Sequence, residues 1–363
     1  RRPQATLMAA LAYQAANRCD KAIEHFQAYL EQESILGDMV YEWIGDCQAA
    51  AGRLEPAITA YRGAVSSTDD LGVQVSLREK IAGVYLALED HESAIAEYDA
   101  ILEVAQIGEY RAKIEYLAGQ ALDAAGDVDA AFERYRRAVD SYPEAEHAYF
   151  SLVELVYGDA EVDEYQRGLI DYYAGAKYPD AYGASIAAFD RYLAAEPVEK
   201  VEDVDGVEDV DRVEDALYYK ALGQRAVGQT DEALETLEQI IADYPDSEAL
   251  DRVWQAKAAT LAQAGLDDAA VRAYQDLAAS FPASELAPEA LWSAARVRQG
   301  EGAFAEAAAL YEELQRTFPG SEDPDAALWY AGLAHYRAGN TEGSTANWQS
   351  LLETYPDSVY GPK

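Results

Sequence analysis

Gly228-Gln-Thr-Asp-Glu-Ala-Leu-Glu-Thr-Leu-Glu-Gln-Ile-Ile-Ala-Asp-Tyr-Pro-Asp-Ser247 opens on a glycine and closes on a proline joint. Between them Ala233, Leu234, Leu237, Ile240 and Ile241 recur at helical spacing, which predicts a helix over 231–244. Pro245 ends that helix because it has no N–H to continue the ladder. Asp246 and Ser247 then offer side-chain oxygens to cap the next one. Upstream, Ala216, Leu217, Ala221 and Leu222 predict a helix over 215–227. Gly228 ends it, since glycine accepts the left-handed conformation of a C-cap.

The same unit recurs through residues 215–363. Gly228, Gly265, Gly302 and Gly339 each follow the last by 37 residues, as do Pro245, Pro282, Pro319 and Pro356. The small residues Ala233, Ala270, Ala307 and Ser344 keep the step, and Tyr274, Tyr311 and Trp348 stand four after the last three. A fixed period of this size makes each unit one helical hairpin that buries its apolar face against its neighbours, so the fold is an all-α solenoid. The small–aromatic pairs and the later proline resemble the tetratricopeptide repeat, which implies a right-handed superhelix of hairpins. The joints Tyr244-Pro-Asp-Ser, Phe281-Pro-Ala-Ser, Phe318-Pro-Gly-Ser and Tyr355-Pro-Asp-Ser resemble the bacterial envelope subset of these repeats. That subset includes outer-membrane assembly lipoproteins, the Tol–Pal coordinator protein and the helical arm of soluble lytic transglycosylases. The feature order, including Gln166-Arg-Gly-Leu-Ile-Asp-Tyr-Tyr, resembles the last of these most. The resemblance implies an extracytoplasmic (periplasmic or cell-envelope) location and a non-catalytic binding arm, with a hydrolase-like domain beyond Lys363. The alternative is a free-standing adaptor between proteins.

Working outward, residues 1–143 carry the unit less regularly, with pairs Ala22/Phe26, Ala57/Tyr61, Ala94/Tyr98 and Ala131/Tyr135. Gly52 and Gly126 sit at turns and Pro143 closes the fourth hairpin. Residues 144–197 form an irregular repeat: helices are predicted over 144–157, 162–173 and 178–194, one more than a hairpin needs, with Ser185/Phe189 as the pair. Residues 198–214 place valine every third position among acids, which is neither helix nor strand period and predicts an acidic linker loop. Asp203-Val-Asp205-Gly206 fails as a calcium loop, because Val201 and Arg212 would take the first and last ligand positions. Ser358 and Pro362 restart the pattern at the C-terminus, so a further helix of the same chain is expected after Lys363.

The 67 acidic and 28 basic residues give a formal net charge of −39. Such a chain repels phosphate backbones, which argues against nucleic-acid binding, and its acidity also suits a high-salt environment. No stretch approaches the length of a membrane-spanning helix. His25, His91, His147 and His335 are scattered and show no metal-ligand spacing, so no metal or cofactor is expected. Gly183-Ala-Ser-Ile-Ala lacks the second glycine of a nucleophile elbow. Glu33-Ser34 and Glu92-Ser93 lack the residues that follow the catalytic Glu-Ser of lytic transglycosylases. No catalytic residue is expected within this chain.

Two sets of residues are candidates for function. Cys19 and Cys47, the only cysteines, fall in neighbouring hairpins and are either two buried thiols or a disulfide. In the repeat family the residue three before the first helix's small residue usually faces the concave groove. Here that is Tyr218, Gln255, Trp292 and Trp329, with Arg225, Arg296, Tyr336 and Arg337 a turn or more later. Aromatic and arginine side chains typify binding hot spots, so these positions are read as a groove for a protein or a peptidoglycan-associated partner. The competing reading is that the two tryptophans brace adjacent helices.

Overall fold

The structure is a computed structural model that describes residues 3–33, 35–195, 209–321 and 323–361. Among the described residues there are 19 helices and no strand. They divide into two compact units, Arg1–Ala176 and Lys177–Lys363. The first holds α1 (Pro3–Ala15), α2 (Cys19–Leu30), α3 (Gly37–Ala50), α4 (Leu54–Val65), α5 (Leu71–Ala87), α6 (His91–Leu102), α7 (Gly108–Ala124), α8 (Val128–Ser141), α9 (Glu146–Tyr157) and α10 (Glu164–Gly175). The second holds α11 (Ala181–Ala194), α12 (Asp209–Ala226), α13 (Thr230–Asp243), α14 (Leu250–Gln263), α15 (Asp267–Ser280), α16 (Leu286–Glu301), α17 (Phe304–Thr317), α18 (Pro324–Arg337) and α19 (Thr341–Thr354).

Within each unit the helices pair as antiparallel hairpins, and each hairpin packs on the next. The core is accordingly a chain of small clusters, such as Ala22, Phe26, Val40 and Ile44 at one end of the first unit. The largest joins α14 to α18 in the second unit, around Tyr274, Leu291 and Tyr311. Extended cores of this kind are what stacked repeats produce, since each contacts only its neighbours.

Seven of these hairpins share one packing device. A small residue on the first helix receives an aromatic ring from the second, sixteen positions later. The pairs are Ala10/Phe26, Gly45/Tyr61, Ala82/Tyr98, Gly119/Tyr135, Ala258/Tyr274, Ala295/Tyr311 and Gly332/Trp348. At the glycines the ring lies so close that a Cβ would sit 2.4 Å from Tyr61, Tyr135 or the Trp348 indole. Those three contacts require glycine, because real Cβ atoms do not approach so near.

The turns inside the hairpins are local devices. Gly52, Gly126, Gly228, Gly265, Gly302 and Gly339 all take positive φ, between 72° and 85°. Asn17, Glu89 and Asp159 occupy the equivalent turns with φ of 54° to 59°. Asn and Asp tolerate that region; Glu89 is strained there by about 1–2 kcal/mol. Its side chain is exposed. Glu89→Gly should therefore stabilise the first unit by roughly 0.5–1 kcal/mol after the extra freedom of the unfolded glycine is counted. A urea midpoint that stays put or falls would show that the Glu89 side chain contributes a contact of its own.

The irregular segment contains the extra helix: α9 and α10 stand between α8 and α11, where a hairpin step would supply one. The acidic stretch needs correction. Residues 198–208 lie outside the described residues, as does Pro197, but residues 209–214 are not a loop; they open α12. Acids suit the first turn of a helix, where the dipole is positive. Farther along, Glu214 is buried and accepts a 2.6 Å hydrogen bond from the Ser247 hydroxyl. The joint serine thus holds the helix of the preceding hairpin, a contact that valine periodicity could not reveal.

The few basic residues are spent between hairpins. Lys80 on α5 reaches Glu42 and Asp46 on α3 at 2.8 and 2.7 Å, and Lys113 on α7 reaches Glu79 on α5 at 2.6 Å. Arg252 on α14 pairs with Asp215 on α12. Each bond joins the first helices of consecutive hairpins. Arg62 on α4 and Arg78 on α5 bracket the buried Glu97 on α6, and Arg134 on α8 joins Asp99 on α6 to the buried Glu115 on α7. These pairs offset like-charge repulsion where those hairpins stack.

Candidate functional site

The first helices of the last two hairpins, α16 and α18, meet without a salt bridge between them among the described residues. In its place is a cleft of about 480 Å³, lined by Trp292, Arg296, Gln299, Gly300, Tyr311, Tyr330 and Arg337. Trp292 is half-buried and stands edge-on to Tyr311 and Tyr330, with ring centroids at 5.1 and 5.2 Å. Edge-to-face contacts of this kind set three rings rigidly against one another. The Tyr311 hydroxyl donates 3.1 Å to Gln299 Oε1, which holds that amide at the cleft wall.

Arg296 and Arg337 are exposed at the rim. Among the described residues neither has a carboxylate within 4.0 Å. Arg337 instead lies over the Phe304 ring at 4.1 Å. Arg296 acts on Tyr311 electrostatically: burial drives the Tyr311 hydroxyl up to about 12, and the guanidinium opposes that rise. Two uncompensated guanidinium groups beside a three-ring wall can receive a ligand that carries an anionic group next to an apolar one.

Of the eight groove positions read from the sequence, the structure brings Trp292, Arg296 and Arg337 into this cleft. Trp329 and Tyr336 belong to a neighbouring aromatic cluster. Trp329 stacks on Tyr360 at 5.9 Å and lies 5.7 Å from Trp348, whose indole N–H donates to the Trp329 carbonyl at 3.3 Å. Tyr336, largely exposed, approaches Trp348 at 6.3 Å. Tyr330 and Tyr360 connect the two clusters, 6.3 Å apart. Tyr218 and Arg225 on α12 lie outside the cleft. Tyr218 is covered by the Arg252 guanidinium at 4.8 Å, and burial raises its hydroxyl pKa. Gln255 on α14 is half-buried and leaves its Oε1 without a hydrogen-bond partner. The Trp292 ring braces Tyr311 and also walls the cleft.

The sequence reading missed Tyr311, Tyr330 and Gln299. Tyr311 carried a signal as the aromatic of the Ala307 pair, but that signal marks core rather than cleft. Tyr330 had none, following Trp329 on what looks like a different helix face.

Cys19 and Cys47 are both free thiols, Cys19 half-buried and Cys47 buried, in one cluster with Phe26 and Ile44. Among the described residues no group of three or more His, Cys, Asp or Glu side chains could hold a metal ion. No described helix is long and apolar enough to cross a membrane.

Models of the tetratricopeptide repeat match residues 7–71, 74–144, 215–247 and 326–358, together more than half of the chain. No curated protein matches. Among solved structures, MamA (AMB-1) is 17% identical over 57% of this chain and 94% of its own, with a TM-score of 0.34. A tetratricopeptide repeat protein from Parabacteroides merdae is 14% identical over 91% of this chain and 98% of its own, at 0.33. A signal-transduction ATPase with a tetratricopeptide repeat sensor from Pyrococcus horikoshii is 11% identical over 94% of this chain and 52% of its own, at 0.40. With turn glycines, small–aromatic pairs and stacked hairpins in register with the matched segments, the chain belongs to the tetratricopeptide repeat family.

Proposed function

We propose that this chain is a non-catalytic scaffold that holds a segment of a partner protein in the cleft between α16 and α18. The observation that carries the reading is the pair of unpaired arginines, Arg296 and Arg337, over the Trp292–Tyr311–Tyr330 wall. On other first helices, Lys80, Lys113 and Arg252 are paired with acids of the neighbouring hairpin. A chain of net charge −39 that leaves two guanidinium groups open beside aromatic rings favours a partner segment with acidic and apolar side chains together.

A random-peptide array probed with the purified chain should enrich peptides that combine Asp or Glu with an aromatic or large aliphatic residue. For the best of these, Trp292→Ala and Arg296→Ala should each weaken binding by about tenfold or more, the range of an interface hot spot. Arg296→Ala should leave the unfolding midpoint unchanged, since its side chain is exposed. If no peptide is retained better than by the doubly substituted control, or if stability and binding fall together in both variants, the cleft is not the binding surface.

The Tyr/Phe-Pro-x-Ser joints support the narrower reading of an arm in a bacterial cell-envelope protein, with a catalytic domain encoded after Lys363. A peptidoglycan-associated partner belongs to that reading. The full reading frame tests it: a lytic domain downstream sustains it, and an unrelated domain leaves the adaptor.

A further inference from the structure

The other end of the chain holds a second chemically distinct place, independent of the cleft just described. A surface hollow of about 510 Å³ between α2 and the turn that joins α3 to α4 is lined by Cys19, Arg18, Lys21 and Arg53, with Asp20 as its only carboxylate. Arg53 is committed to Asp20 at 2.7 Å. Arg18 and Lys21 have no carboxylate within 4.0 Å among the described residues and lie over the Tyr13 ring at 5.3 and 5.6 Å. Three cations around one half-buried thiol make a basic spot on an acidic protein. Behind Cys19, on the neighbouring hairpin, Cys47 is buried in the same cluster.

The two thiols are unequal. Cys19 opens to the hollow; Cys47 is walled in by Ile44, Ala22 and Phe26. Burial, then the contact with Cys19, pushes the Cys47 thiol up to about 12. A small reagent entering the hollow meets Cys19, whereas Cys47 is buried. That is the arrangement of an attacking thiol with a resolving thiol.

We propose that Cys19 and Cys47 form a thiol–disulfide exchange site whose co-reactant is a small anionic disulfide, and that exchange covalently joins the first hairpin to the second. The Cys19 thiolate attacks one sulfur of the disulfide RSSR; the S–S bond breaks, RS⁻ leaves and takes up a proton, and a mixed Cys19–S–SR disulfide remains. Cys47 then gives up its proton and attacks Cys19 Sγ, expelling the second RS⁻, which is protonated in turn. The balance is one RSSR and two protein thiols converted to one protein disulfide and two RSH. The reagent is reduced by two electrons and the protein oxidised by two. Arg18, Lys21 and Arg53 select the anionic reagent by attraction, against the repulsion of the chain as a whole.

The test uses the full 363-residue chain with oxidised glutathione as the anionic probe and hydroxyethyl disulfide as the neutral one, read by intact mass after acid quench. The native chain should lose both thiols and carry no adduct. Cys47→Ser should trap one glutathionyl group, and Cys47→Ala, which keeps the buried site apolar, should do the same if serine unsettles the fold. Cys19→Ser should stay unmodified. Lys21→Glu should slow oxidised glutathione by roughly threefold or more and leave hydroxyethyl disulfide unchanged, because only the first reagent feels the charge. Two thiols persisting in the native chain, an adduct that never closes, or modification of Cys47 in the Cys19→Ser chain at a comparable rate would each overturn the site. Equal slowing of both reagents, or of neither, would overturn the role of the basic hollow.

Discussion

Arg134→Met should destabilise the first unit by about 3–5 kcal/mol, the cost of stranding a buried charge. Arg134 rises from α8 and crosses α7 to α6, holding Glu115 Oε2 at 3.1 Å on the way and Asp99 at the far end. Its side chain is 13% exposed and that of Glu115 is 8%. Water cannot take over Glu115 when the guanidinium goes, so the carboxylate must be protonated or dragged to the surface. The loss measures that penalty and not the worth of the pair, because replacing both partners relieves it. Adding Glu115→Gln to Arg134→Met should therefore recover more than half of the lost stability. By contrast, Arg53→Met should cost no more than about 1 kcal/mol, since its partner Asp20 is 81% exposed. Urea unfolding of the three variants checks this. A loss below about 1 kcal/mol for Arg134→Met would mean that solvent reaches Glu115 as it reaches Asp20.

Tyr311→Ala should cost a similar amount, about 3–5 kcal/mol, but in the second unit and for a different reason. The ring is 1% exposed and sits on Ala295, the small residue of its hairpin. It also supports Trp292 at 5.1 Å and Tyr330 at 5.8 Å. Truncation leaves a cavity between α16 and α17 that the alanine floor cannot fill, and it removes the wall of the cleft. Peptide binding should vanish with it. Tyr311→Phe should lose only about 1 kcal/mol, the value of the hydroxyl's bond to Gln299, and keep the cleft. If Tyr311→Ala unfolds with a midpoint close to the unaltered chain, the ring is not the keystone of that hairpin. Exposed Arg296 offers the opposite case, in which binding moves and stability does not.

The fold was legible because its instructions are local. A glycine at Gly228 needs only its own φ to end a helix, and Pro245 needs only its missing N–H to prevent another turn. Period then converts local rules into an architecture: once one hairpin is read, its repetition every 37 residues dictates stacking. The reading failed where a local rule met a distant partner. Valine periodicity in 198–214 suggested a loop throughout. Glu214, however, is held in α12 by Ser247, and no window around Glu214 contains that serine. Glu89 was missed as a turn residue because its type does not favour positive φ; the turn is closed by backbone bonds from Glu89 and Asp90 to Leu86 and Tyr85.

The candidate site divides the same way. The sequence placed Trp292, Arg296 and Arg337 on first helices, because their positions within the repeat are fixed by the period. It could not tell that Tyr218 would be covered by Arg252, or that Trp329 would stack on Tyr360. By itself the sequence determined the helices, their turns, the order of hairpins and the excess of acid, all of which follow from dihedral preference, apolar period and composition. Only the tertiary structure decided which cations would be consumed between hairpins and which would stay open. Pairing depends on a few ångströms between side chains more than thirty residues apart, set by how each aromatic ring seats on the small residue of the facing helix.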